Sequence, residues 1–105
     1  MQIKTTDNGN GRTVSIQTDE RLDWKVHGIF SQVTILANSP WIENIEIDLR
    51  QTRIIRDSGL SLLSVLCMKS GLSRNHIGVV NCRPELRAQL LNSKLAGYLR
   101  VLSTC

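Results

Sequence analysis

Aromatic residues are nearly absent. Phe30, Tyr98, Trp24 and Trp41 make up 4% of 105 residues. A core must therefore come from Leu, Ile and Val, and the stack of aromatics in a basic groove that single-stranded nucleic-acid binders use is missing. The net charge is +4, but no block of five or more Lys/Arg occurs, so a nucleic-acid partner is not expected. No apolar run approaches the ~18 residues that would span a bilayer. Residues 1–12 are polar and lack the apolar centre of a signal peptide. Membrane insertion is therefore not expected. Cysteine is sparse as well. Cys67, Cys82 and Cys105 form an odd, widely spaced set with no C-x-x-C and no ligand-spaced His, which argues against a metal site and agrees with a reducing, cytoplasmic compartment. The plain reading is a half-buried Cys67 and two incidental thiols. The Walker and G-x-G-x-x-G phosphate-binding patterns are absent too, and no cofactor is expected.

The chain carries 41% hydrophobic and 21% charged residues, ordinary for a globular domain. There is no repeat or linker, so one domain over 1–105 is expected. Residues 3–6 and 13–18 read as strands, with Val14 and Ile16 on one face, around the turn signal Asp7-Asn8-Gly9-Asn10-Gly11. Asp23 is a candidate N-cap for a helix in which Val26, Ile29, Phe30, Val33 and Leu36 or Ala37 recur at helical spacing. Asn38-Ser39-Pro40 ends that helix. A strand over 42–49 places Ile45, Ile47 and Leu49 on one face. Residues 50–57 form a loop with Ile54 and Ile55 tucked inward. A helix over 58–70 with Leu60, Leu63, Val65, Leu66, Cys67 and Met68 has an apolar arc wide enough to be largely buried, and Gly71 suits its C′ position. A short strand over 77–81 follows. Pro84 opens a last helix carrying Leu86, Leu90, Leu91 and Leu95, stopped at Gly97. Residues 98–102 form a short helix or an edge strand. The order implies an α/β fold with a mixed sheet of four or five strands and three or four helices packed on it.

In such a sheet, ligands and partners meet the loops beyond the carboxyl ends of the parallel strands. Three loops qualify: 19–23, 50–58 and 82–84. The middle one is the most informative, running Asp48-Leu49-Arg50-Gln51-Thr52-Arg53-Ile54-Ile55-Arg56-Asp57-Ser58-Gly59-Leu60. Ser58 lies at the strand-to-helix turn. Ser58 or Asp57 can be explained as the helix cap alone, which stabilises by about 1 kcal/mol. The same helix N-terminus also suits a phosphate. Phosphorylation of Ser58 would add close to two negative charges beside Arg50, Arg53 and Arg56 and reverse the local charge, a switch for a partner. An acyl-transfer triad is not expected. The nucleophile elbow G-x-S-x-G is absent, and the two histidines, His27 and His76, read as structural or surface residues.

The layout resembles the STAS domain family, typified by bacterial anti-sigma-factor antagonists. The resemblance is carried by Arg21-Leu22-Asp23-Trp24-Lys25-Val26-His27 with Ile29-Phe30, and by Ile45-Glu46-Ile47-Asp48-Leu49 leading to Ser58-Gly59-Leu60-Ser61-Leu62-Leu63. It is completed by the strand 77–81 with the Leu-rich helix toward Gly97. It covers nearly the whole chain, and its middle stretch is the most specific. It implies a STAS-like single domain and a regulatory binding module rather than an enzyme. The implied partners are an anti-sigma factor that is itself a serine kinase with a histidine-kinase-like ATPase domain, and a metal-dependent serine phosphatase. Ser58 is the implied phosphorylation site, with Asp23, Arg50, Arg53, Arg56, Asp57, Gly59 and Leu60 around it as partner-binding residues. Arg56 stands where the family usually has Asp, and Asp57 comes directly before Ser58. That departure motivates a second reading, a constitutive accessory subunit of a transporter ATPase complex. The basic loop motivates a third, an enzyme or small-ligand binder.

Overall fold

Alternation of apolar and polar residues at a period of two builds the sheet. The computed structural model describes residues 2–8, 11–38, 42–72 and 76–101. Along the chain come strands β1 (Gln2–Asn8), β2 (Gly11–Gln17) and β3 (Arg21–Leu22), a 3-10 turn over Trp24–Val26, and helix α1 (His27–Ala37). Strands β4 (Ile42–Asp48) and β5 (Ile54–Ile55), helix α2 (Asp57–Lys69) and strand β6 (Ile77–Val80) follow. The last elements are helix α3 (Pro84–Leu91), a 3-10 turn over Lys94–Gly97, and strand β7 (Arg100–Val101). Five strands form one sheet in the order β1-β2-β4-β6-β7, with the first pair antiparallel and the others parallel. The separate pair β3-β5 is parallel and two residues long.

The register explains the core. Ile3, Ile16, Ile47, Val79 and Val101 are cross-strand partners in one row spanning all five strands, and Val14, Ile45 and Ile77 form a second row. Val14, Ile16, Ile45, Ile47, Ile77 and Val79 are all buried. The neighbouring row, Lys4, Ser15, Glu46, Gly78 and Arg100, faces the other way and is polar or small. The helices add Phe30 and Val33 from α1, Leu62, Leu63, Leu66 and Cys67 from α2, and Leu86 and Leu90 from α3, giving one apolar cluster. Each such Leu contributes about 1.5–3 kcal/mol when fully buried. Gly71 follows α2 at φ 72°, as its C′ assignment requires.

Several expectations are corrected. Helix α2 is not buried all round. Val65 and Met68 fall on the side away from Leu62, Leu63 and Leu66, and Met68 is 65% exposed. Only Ile55 of the loop pair is tucked in, because pairing with β3 turns Ile54 outward. The last helix stops at Leu91. Leu95 belongs to the 3-10 turn, where the Ser93 hydroxyl accepts the Leu95 N–H at 3.2 Å and starts a new element. Of the two readings of 98–102, the edge strand is the one that holds, at Arg100–Val101. Gly9, Asn10, Ser39, Pro40, Leu102 and Cys105, on which parts of the expected turn, helix end, last segment and thiol set rest, lie outside the described residues.

Cys67 and Cys82 are both buried, more deeply than expected. Burial pushes the Cys67 thiol up from its ordinary 9.0 to about 11. Below pH 9 the thiol is protonated in the folded and the unfolded chain, and its full contribution is present. Between pH 9 and 11 the unfolded chain ionises while the folded one cannot follow, so stability falls as pH rises. The loss should approach about 3 kcal/mol, at ~1.4 kcal/mol per pH unit. Urea midpoints taken from pH 8 to pH 11 should fall more steeply for the parent protein than for Cys67→Ala. Equal slopes would assign the alkaline loss to other groups.

Candidate functional site

The three loops beyond β2, β4 and β6 meet at one end of the sheet and are knitted together by backbone bonds. Thr18 N donates to Asp48 O at 3.2 Å, and Leu49 N to Val80 O at 3.1 Å. The hydroxyls of Thr18 and Thr52 pair in the interior, and Thr52 donates to Asp19 O at 2.6 Å. Glu20 O accepts both Arg53 N and Ile54 N, at 2.8 and 3.2 Å. These bonds satisfy the polar backbone of a loop that has almost no regular structure of its own. The side chain of Gln89 in α3 donates to Ile55 O at 2.9 Å and ties the third helix to the same corner.

Arg56 sets the position of Ser58. Its N–H donates to Leu22 O at 2.9 Å, and its extended backbone makes it the N-cap of α2, with no side-chain cap bond. The first helical bond runs from Leu60 N to Arg56 O at 3.0 Å. Asp57 and Ser58 are thus the first two helical residues, and neither caps the helix as expected. The Ser58 hydroxyl oxygen instead accepts the Trp24 backbone N–H at 3.0 Å, across a gap of 34 residues. Asp57 is exposed in the first turn, where a carboxylate favours the helix dipole. The first-turn amides around Ser58 have no partner within the helix.

Gly59 has a steric reason. It is buried, and a Cβ there would fall on the carbonyl oxygen of Leu22. Glycine lets α2 lie directly on β3, which brings Ser58 within reach of Trp24. Gly59 thus supports the site from beneath. Leu60 is half-buried against the core.

Asp23 caps, but not α1. In an extended conformation its carboxylate accepts Lys25 N at 3.0 Å and starts the 3-10 turn, and α1 begins at His27 behind it. Trp24 follows, 60% exposed. Its ring stacks on His27 with centroids 4.7 Å apart and planes 7° apart, and His27 Nδ1 donates to Trp24 O at 3.0 Å. The arginines separate. All three are exposed, but Arg50 leans back toward Asp48 at 3.9 Å, whose Oδ1 also accepts Arg50 N and Asn81 Nδ2. The corner therefore unites Asp23, Trp24, Arg56, Asp57, Ser58 and Gly59.

His27 is held by Trp24 O, and His76 pairs with Asn44 near the opposite end of the sheet, so neither histidine is the hydrogen-bond partner of Ser58. Among the described residues no group of three or more His, Cys, Asp or Glu is placed to hold a metal, and no helix is long and apolar enough to cross a membrane. A recess of about 110 Å³ lies on the polar sheet face, lined by Lys4, Ser15, Gln17, Glu46 and Asp48. It is far smaller than the ~300 Å³ at which ligand clefts begin.

Sequence reasoning missed the apolar part of this surface. Trp24, Ile54, Val65 and Met68 are exposed. The spacing Ser58, Ser61, Val65, Met68, at i, i+3, i+7 and i+10, places these residues on one stripe of α2 and was the available signal. For Trp24 the signal was a rare aromatic directly after a capping Asp.

No protein-family model and no curated protein matches the chain. Solved structures do. The anti-sigma factor antagonist SpoIIAA in its unphosphorylated form is 15% identical with a TM-score of 0.70, over 98% of this chain and 90% of that one. The Bacillus cell fate determinant SpoIIAA in the phosphorylated form is 16% identical with a TM-score of 0.66, over 98% and 93%. The chain has the fold of these proteins; its described residues form a mixed five-stranded sheet with three α-helices, and the expected STAS-like architecture holds.

Proposed function

We propose that the chain is an anti-sigma factor antagonist, a cytoplasmic, non-enzymatic module that binds an anti-sigma factor kinase and is switched by phosphorylation of Ser58. One observation carries this. The hydroxyl of half-buried Ser58 lies on the first turn of α2, in a surface-exposed hydrogen bond with Trp24 N–H, and does not cap its own helix. The likeness of fold to an antagonist solved in unphosphorylated and phosphorylated forms supports it.

The kinase moves the γ-phosphoryl group of ATP onto Ser58 Oγ, takes up the hydroxyl proton and releases ADP. A metal-dependent serine phosphatase hydrolyses the ester with water, restoring the hydroxyl and releasing inorganic phosphate. The first-turn amides and the Arg56 guanidinium favour the added charge. Asp57 and Asp23 oppose it, so the phosphate is tolerated by the fold yet changes the surface a partner meets. Arg53, Arg56 and Asp57 form the polar rim of the docking face. Arg50, Asp23, Gly59 and Leu60 hold its shape. Val65 and Met68 extend it along α2.

Co-purification of the untagged protein from its host, followed by phosphate mapping after incubation with the recovered kinase and ATP, tests the proposal. Phosphate on Ser58, absent from Ser58→Ala, is the expected result. Recovery of an ABC ATPase without any kinase would select the constitutive accessory-subunit reading.

A further inference from the structure

Trp24 is exposed beside the switch serine, yet it is not loose. Its backbone N–H is bonded to Ser58, its ring lies flat on His27, and His27 is bonded back to its carbonyl. A rigid indole standing out of a surface in a chain with only four aromatic residues is what protein interfaces use as an anchor, because little side-chain freedom is lost on docking. Arg21, Lys25 and Arg56 are exposed on the segments that carry and face it. Against them stand exposed Asp57 and half-buried Asp23, whose carboxylate already accepts Lys25 N–H. The balance is basic, so the surface that fits is an apolar pocket with a carboxylate rim.

We propose that Trp24 is the anchor gripped by the partner protein and that the Ser58 hydroxyl holds it in the presented pose. This rests on the reading of Ser58 as the switch, with the anti-sigma factor kinase as the occupant. It adds the residue that carries affinity and the bond through which the state of Ser58 reaches it. The Ser58 oxygen that would take up a phosphate is the same atom that accepts the Trp24 amide. Modification turns that hydroxyl into an ester oxygen flanked by three anionic oxygens, so it re-forms the hold on Trp24 as well as changing the local charge.

Two measurements test it. In a Trp41→Phe background Trp24 is the sole tryptophan. Ser58→Ala should then shift its emission and raise its acrylamide quenching, while Ser61→Ala, one turn along, should change neither. Unchanged emission and quenching in Ser58→Ala would overturn the coupling. Separately, the host proteins that carry the histidine-kinase-like ATPase domain are purified and titrated with the chain. The parent protein should bind one of them, Trp24→Ala should bind it about 30-fold more weakly, and Trp24→Phe should recover part of the loss. Trp24→Ala should keep the parent melting temperature, since the ring is exposed. Equal affinity of the parent and Trp24→Ala overturns the anchor. Failure of every such protein to bind the parent instead removes the Ser58 switch reading and the anchor with it, whatever the fluorescence shows.

Discussion

Replacing Gly59 by Ala should destabilise the protein by about 2–3 kcal/mol and lower its melting temperature by about 10–20 °C. The sign is the opposite of the usual one. Within a helix, Gly→Ala normally stabilises by about 0.5–1 kcal/mol, because glycine loses more backbone freedom on folding. Here the added methyl lands on the Leu22 carbonyl oxygen, part of a backbone held by the bond from Arg56 N. A flexible side chain would swing aside, but backbone cannot without breaking that bond and the β3-β5 pairing. Gly28 supplies the control. It lies in α1, and a methyl added there would meet nothing within 4 Å, so Gly28→Ala should be neutral or stabilising by up to about 1 kcal/mol. Thermal and urea unfolding of both variants decide the matter. Gly59→Ala matching the parent would mean that α2 does not lie directly on β3.

How much of this was legible follows from where each signal lives. The sheet was readable because Val14-Ile16 and Ile45-Ile47 alternate within short segments, and the cross-strand row from Ile3 to Val101 only joins patterns already visible. The Leu-rich helices were readable for the same local reason. The β3-β5 pair was not, since two residues carry no period and their pairing is decided by Glu20 and Leu22 accepting amides from a distant loop. Missing that pair meant missing what it causes: Arg56 takes the cap position, Ile54 turns outward, and Ser58 is left to bond with Trp24. Asp23 was identified as a capping residue by its type, but the turn it caps is a 3-10 turn preceding α1. The exposure of Val65 and Met68 depends on how α2 sits on the core, which composition alone does not reveal. Ser58, Asp57, Arg56 and Gly59 were found as a group because a helix start after a central strand is a site by topology. Their division of labour, with one residue for contact and another for close packing, needed coordinates.

Ser58→Asp should weaken binding to the kinase recovered from the host at least ~100-fold, a change of about 2.7 kcal/mol, while Ser58→Ala should stay within ~10-fold of the parent. The difference isolates charge from shape. Alanine removes one hydrogen bond acceptor for Trp24 N–H, worth about 0.5–1.5 kcal/mol, and adds no charge. Aspartate keeps an acceptor near that amide and sits at a helix N-terminus, so the fold should tolerate it with little change in melting temperature. Its carboxylate nonetheless joins Asp57 and Asp23 on one corner and turns a neutral contact point anionic against a partner surface complementary to Arg53 and Arg56. Repulsion between partly exposed charges is screened over about 8 Å at physiological salt and more strongly above it. Binding of Ser58→Asp should therefore recover partly at ~0.5 M salt, whereas a steric defect would not. Binding of Ser58→Asp equal to the parent at low salt would remove Ser58 as a charge-sensitive contact and leave α2 as a passive docking helix.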